Sequence, residues 1–347
     1  MKKNVKINKN YLRDNQNDYS FLDVIFSIFV FLIMLIILTD PKRYTSCTIE
    51  GLKLFVYSVL PGLFPFMLLT KLLTEIGFVE KFFSKFDKLT NFFFGTPGIS
   101  LYVLLMSFLS GYPIGAKIIS DLYQKNAISA ENARKMSGFC TTSGPIFVIG
   151  TVGTIMFNSY IVGLILFFSH ITASIILGII LNLCFKLKRK NRTKNDKIIK
   201  FEVIKKDNII SYCISETISA IFIVGAYITI FFLIGEIFDY LNIFNLLSKI
   251  FVPILSKLKV DEKFIKPIFY GILEVTRGVK NLSQFREPIS IIFASGLISL
   301  SGLSIIFQSM NFLKKAKIKA HTFIFYKCVH SIISMILCFL LTMMIKF

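Results

Sequence analysis

The chain has 347 residues, 54% of them hydrophobic, and a mean hydropathy of +0.68. A soluble globular domain rarely averages so apolar, so composition excludes one and points to an integral membrane protein. The net charge of +20 lies between apolar runs and forms no basic domain with a base-reading motif, which excludes a nucleic-acid binder and reads as loop charge that orients the chain in a bilayer.

The first twenty residues are polar and carry Lys2, Lys3, Lys6, Lys9 and Arg13. They precede "FLDVIFSIFVFLIMLIILT", which is long enough to span. Only "DPKRYTS" follows, with no small-residue cleavage pattern, so this segment reads as a retained anchor rather than a signal peptide. A second span covers roughly 49–76 and is expected to be interrupted at "PGLFPF". Residues 78–94 carry Lys81, Lys85 and Lys88 among phenylalanines and read as an interfacial amphipathic helix. "LYVLLMSFLSGYPIGAK" then breaks abruptly. "MSGFCTTSGPIFVIGTVGTIMF" is apolar but broken in its middle, and "YIVGLILFFSHITASIILGIILNLCF" is an unbroken span.

Residues 186–206 hold ten Lys or Arg against two acids, which reads as a cytoplasmic loop. A long span at about 209–239 and an amphipathic stretch at 242–258 follow. Next come a run ending in "GILEVTRGVK", a broken segment over about 285–310, the loop "KKAKIK" and a last span over about 320–345. The six cysteines are dispersed without CxxC spacing, and no cluster of His, Cys or carboxylates suggests a metal, so neither a zinc site, a disulfide framework nor a cofactor is expected.

The two halves echo each other. Gly62 and Gly225, Gly115 and Gly278, and Lys117 and Lys280 share one offset. Glu50 with Glu216, and "SGPIFVI" with "SGLSIIF", fall close to it. The loop before the last span is the uncharged "FNSY" in the first half and "KKAKIK" in the second, so equivalent loops are expected on opposite sides. The expected fold is an all-α polytopic membrane protein with two inverted-topology repeats of broken or re-entrant helices, plus one N-terminal transmembrane helix. Its boundaries are 1–44 for the cytoplasmic N-terminus and anchor, 45–186 for the first repeat, 187–207 for the basic loop and 208–347 for the second repeat. This pattern points to a secondary transporter with a midplane site.

The broken segments supply the candidate site. Gly111 and Gly115 permit the turn in "SGYPIGAK" and Pro113 stops the helix. Lys117 either faces the cavity or snorkels to an interface. Its counterpart Lys280 stands beside Glu274, Thr276 and Arg277. The substrate-binding candidates are Lys117, Lys280, Arg277, Thr276, Glu274, Ser110, Gly111, Thr142, Ser143, Gly144, Ser301 and Gly302. Glu50 and Glu216 read either as helix-start carboxylates favoured by the macrodipole or as coupling sites for a proton or cation.

"FLSGYPIGAK", "FCTTSGPIFVIGTVG", "GILEVTRGVKNLS" and "SGLSIIFQ" resemble the sporulation integral membrane protein YlbJ family, from about residue 45 to the end. That family belongs to a wider nucleoside-recognition or Gate domain group, found also in nucleoside transporters and the ferrous iron transporter B. The resemblance implies a role in endospore formation, in the movement of dipicolinic acid, within the cell or forespore membrane of a spore-former. Dipicolinate is a small aromatic dianion, and Lys117, Lys280 and Arg277 are the cations expected to neutralise it. The expected partners are that anion and the lipid bilayer. A homodimer or other sporulation membrane proteins are left open.

Three other classes were weighed. An intramembrane hydrolase would draw on Ser110, Ser143 or Ser301, but His170, His321 and His330 show no GxSxG or comparable pattern, and no enzyme is expected. A histidine in such a span is more often a helix–helix hydrogen-bonding residue. A membrane scaffold needs no broken inverted repeats, and a nucleoside or other solute carrier would share the fold.

Overall fold

In hydrocarbon, a backbone N–H or C=O has no water to bond, so a spanning segment pairs its polar groups internally as helix. The computed structural model describes residues 21–188, 208–257, 261–285 and 287–345. Among these it is helical nearly throughout, with no strand. The polar N-terminus, and all but the first two residues of the basic 187–207 loop, lie outside the described residues.

The chain divides into two units, Met1–Cys47 and Thr48–Phe347. The first contains helix α1 (Phe21–Thr39), and the boundary falls within α2 (Pro41–Leu54). In the second unit a π-helical turn, Phe55–Val59, leads into α3 (Leu60–Ile76). The interruption expected at "PGLFPF" is therefore mild. Pro61 occupies the first turn of α3, where a missing N–H costs little, and Pro65 is carried inside the helix behind the widened turn. The amphipathic stretch forms two short helices, α4 (Phe78–Phe83) and α5 (Asp87–Phe94).

Two broken helices follow. α6 (Ile99–Ser110) stops at Gly111 and resumes as α7 (Ile114–Gln124), and α8 (Ala130–Phe139) stops before a π-helical segment, Ile146–Met156. α9 (Tyr160–Lys188) closes the first half. The second half has the same succession: long α10 (Ile209–Tyr240) and α11 (Ile243–Lys257), then α12 (Ile265–Leu273) broken from α13 (Val275–Leu282). After these α14 (Pro288–Leu300) is broken from α15 (Gly302–Leu313), and α16 (Ala320–Met344) ends the order. Among the described residues four stretches are long and apolar enough to cross a membrane: Tyr160–Leu187, Ile209–Tyr240, Pro288–Ala316 and Ala320–Met344. Counting each of two bent pairs as one span makes six.

Packing between the halves is reciprocal. α7 packs on α15, and α13 packs on Ile146–Met156; α8 packs on α16, and α14 packs on α9. Buried apolar side chains form two main clusters, one around α3, α6, α7 and α10, the other around α9, α13 and α14. The polar breaks lie where these elements meet.

Candidate functional site

Each half brings its breaks together through glycine. Gly111 has φ +83°, and a Cβ there would stand 2.8 Å from the Gly144 nitrogen, so the α6–α7 break lies directly on the α8 break. Ser107 fixes the contact: its Oγ accepts the Thr142 N–H at 2.8 Å and lies 3.0 Å from Thr142 Oγ1. In the second half Gly302 has φ +60°, and a Cβ there would stand 2.8 Å from the Gly271 carbonyl oxygen at the end of α12. The chain turns between α12 and α13 at Glu274, which is extended and buried. Its carboxylate accepts the N–H groups of Thr276 at 3.0 Å and Arg277 at 2.8 Å and so caps α13.

Fully buried side chains on α9 and α16 then tie one half's break to the other's. The Ser143 N–H donates to His170 Nε2 at 2.9 Å, and His170 Nδ1 lies 2.7 Å from Ser299 Oγ. Because Nε2 must accept, the ring proton sits on Nδ1 and is donated to Ser299. His330 Nε2 reaches the His170 carbonyl oxygen at 2.9 Å, and the two rings are 4.7 Å apart. Lys327, also fully buried, donates to the Thr141 carbonyl and, at 3.3 Å, to the Tyr112 hydroxyl. Its ammonium lies 4.6 Å from the centre of the Tyr112 ring. These groups satisfy backbone that the breaks leave unpaired.

In front of the breaks lies a cavity of about 150 Å³. The first break supplies Ser110, Gly111 and Tyr112, the second Ser143 and Gly144, the third Glu274 and Thr276, and the fourth Ile298, Ser304 and Gln308. The opposite wall is apolar, from Leu63 on α3 and Val224 and Ile228 on α10. Among the described residues, no Lys, Arg or His lines it.

Six candidates from the sequence thus reach the cavity: Ser110, Gly111, Ser143, Gly144, Glu274 and Thr276. Thr142, Ser301 and Gly302 are buried but not among its lining. The cations go elsewhere. Lys117 pairs with Asp121 at 3.1 Å and Glu216 at 3.5 Å. Asp121 also holds Lys71 at 3.0 Å, and Glu75 takes Lys71 at 3.0 Å and Lys125 at 2.9 Å. Arg277 pairs with Glu236 on α10 at 3.1 Å and stacks 4.5 Å from the Tyr270 ring centre. Near it Asp239, also on α10, accepts the Tyr270 hydroxyl at 2.6 Å and pairs with Lys266 at 3.0 Å. Lys280 and Glu50 are exposed. Sequence reasoning passed over Lys327, although a lysine inside the apolar run "FIFYKCVHSIIS" is itself a signal. Tyr112 in "SGYPIGAK", Ser304 and Gln308 in "SGLSIIFQ" and Asp121, one helical turn after Lys117, carried local signals that were also missed, whereas nothing local distinguishes Ser299.

No known family's sequence profile matches the chain, and no solved structure matches it. It is similar to the sporulation integral membrane protein YlbJ of Bacillus subtilis (strain 168), 24% identical over 318 residues that cover 86% of this chain and 78% of that protein. Both this similarity and the several long apolar helices mark a multi-pass membrane protein. The similarity runs through most of both chains and supports the family resemblance read from the motifs, that to the sporulation integral membrane protein YlbJ.

Proposed function

We propose that the protein is a sporulation-associated membrane transporter that carries a small organic acid, such as dipicolinic acid, through the cavity between two inverted repeats. The observation that carries this reading is a single cavity walled by helix breaks from both halves. Broken backbone at membrane depth is tolerated only where protein buries it or where it lines a cavity, and discontinuous helices at a repeat interface are where carriers bind cargo. The common succession of elements and the reciprocal packing support the inverted repeat. The relative's name supports the setting in sporulation and in a membrane; the cell or forespore membrane comes from the family resemblance. Dipicolinic acid comes from the family resemblance, as does the Gate group.

A carrier fits better than an intramembrane hydrolase. Among the described residues the only serine hydroxyl on His170 is that of Ser299, and there the imidazole donates its proton, so it is not placed to act as a base. The test is uptake of labelled dipicolinic acid into proteoliposomes. We expect saturable uptake that falls at least tenfold in Gly144→Val, where a side chain would press on the Gly111 break. Gly150→Ala, which has open space around its Cβ, should transport normally. A well-folded protein that moves no solute would leave a scaffold as the better reading.

A further inference from the structure

We infer that the cavity takes a single-ring solute in an uncharged form, so that an acid cargo crosses with its carboxyls protonated. This rests on the transport reading above and specifies the form of its cargo.

Charge is the first ground. Among the described residues, and Tyr112 aside, the one ionisable side chain in the wall is Glu274, itself an acid. It accepts two N–H groups at the N-terminus of α13. Arg277 is paired with Glu236 and Lys117 with Asp121, and Lys327 lies behind Tyr112, outside the lining, on the Thr141 carbonyl and the Tyr112 hydroxyl. An ionised carboxylate entering this space would lose water, meet no Lys, Arg or His side chain in the described lining and face the carboxyl oxygens of Glu274. A carboxyl O–H or an amide N–H would instead find acceptors.

Size and polarity are the second ground. A cavity of about 150 Å³ is the volume that holds one benzene ring in an engineered apolar core. A base with its ribose would need it to open further. The wall is mostly apolar, yet it carries hydrogen-bonding groups that suit a polar ring. Gln308 Nε2 donates to Ser304 Oγ at 3.1 Å, Glu274 has lone pairs beyond its two backbone bonds, and the buried Ser110 hydroxyl has no partner among the described residues.

The experiment is equilibrium binding to the full-length protein in lipid nanodiscs at pH 7, with dipicolinic acid, its uncharged dicarboxamide and uridine as probes. We expect the dicarboxamide to bind at least tenfold more tightly than dipicolinate or uridine. Glu274→Gln, which keeps an oxygen to cap α13, should narrow the gap by improving dipicolinate several-fold. Dipicolinate binding as tightly as the dicarboxamide would overturn the inference, and uridine matching the dicarboxamide would overturn its size. Binding of neither pyridine compound would overturn it too. In each case the proteoliposome uptake decides separately whether the transport reading stands.

Discussion

Asp121 shows what a single side chain carries here. It is buried and holds two ammonium groups, Lys71 and Lys117. Asp121→Asn would leave both short of counter-charge in a dry setting, and we expect a loss of about 3–5 kcal/mol, read as a drop in thermal unfolding temperature in detergent. Glu216→Gln removes a more distant partner whose side chain is 43% exposed, so the same measurement should move by less than about 1 kcal/mol. His170→Ala removes the acceptor of the Ser143 N–H and a donor to Ser299. Leaving that buried amide unmet should cost about 1–3 kcal/mol. Lys117 stood out in the sequence as a lysine directly after an apolar break, but its pairing did not. Asp121 lies one helical turn on, and Lys71 arrives from a helix fifty residues earlier, so only the fold brings the three together. Glu274 was readable as a site residue beside its lysine and arginine. Its action, capping a helix from an extended residue, depends on a turn that no glycine or proline marks.

At the scale of elements, the breaks at "SGYP" and "TTSG" were readable because glycine and proline interrupt an apolar run. "PGLFPF" carries the same residue types, yet the helix continues there, because its first proline falls at a helix start. Close approach decides the rest. Gly278 lets α13 fold back on α12: a Cβ there would overlap the Gly271 backbone. Gly278→Ala should therefore force the two arms apart and destabilise the protein by about 1–3 kcal/mol, measured by unfolding, with Gly150→Ala unchanged beside it. Its counterpart Gly115 faces the Cys140 carbonyl in the same way. The sequence could suggest that these two glycines correspond. It could not show which neighbour each admits, since that depends on which helices meet. Gly178, in an unbroken span, looks neutral in the sequence, yet a Cβ there would stand 2.8 Å from the Phe94 ring and 3.0 Å from that of Phe139.

For the whole molecule, the all-helical, multi-pass character followed directly from hydropathy. Inversion of the halves rests on loop charge, and we expect residues 186–206 to face the cytoplasm and the C-terminus to face the other side. Cysteine labelling from each side in a cysteine-free background checks this, and position 190 and the C-terminus reacting from one side would remove the inverted arrangement. Long α10 supplies the apolar wall opposite the breaks, and both of its ends are pinned by charge: Glu216 to Lys117, and Glu236 to Arg277 with Asp239 to Lys266. Glu216 and Glu236 lie about 30 Å apart along a helix, close to the thickness of the hydrocarbon core. On the transport reading proposed above, α10 would be a door bolted separately at its two ends, with an ion pair to release at each.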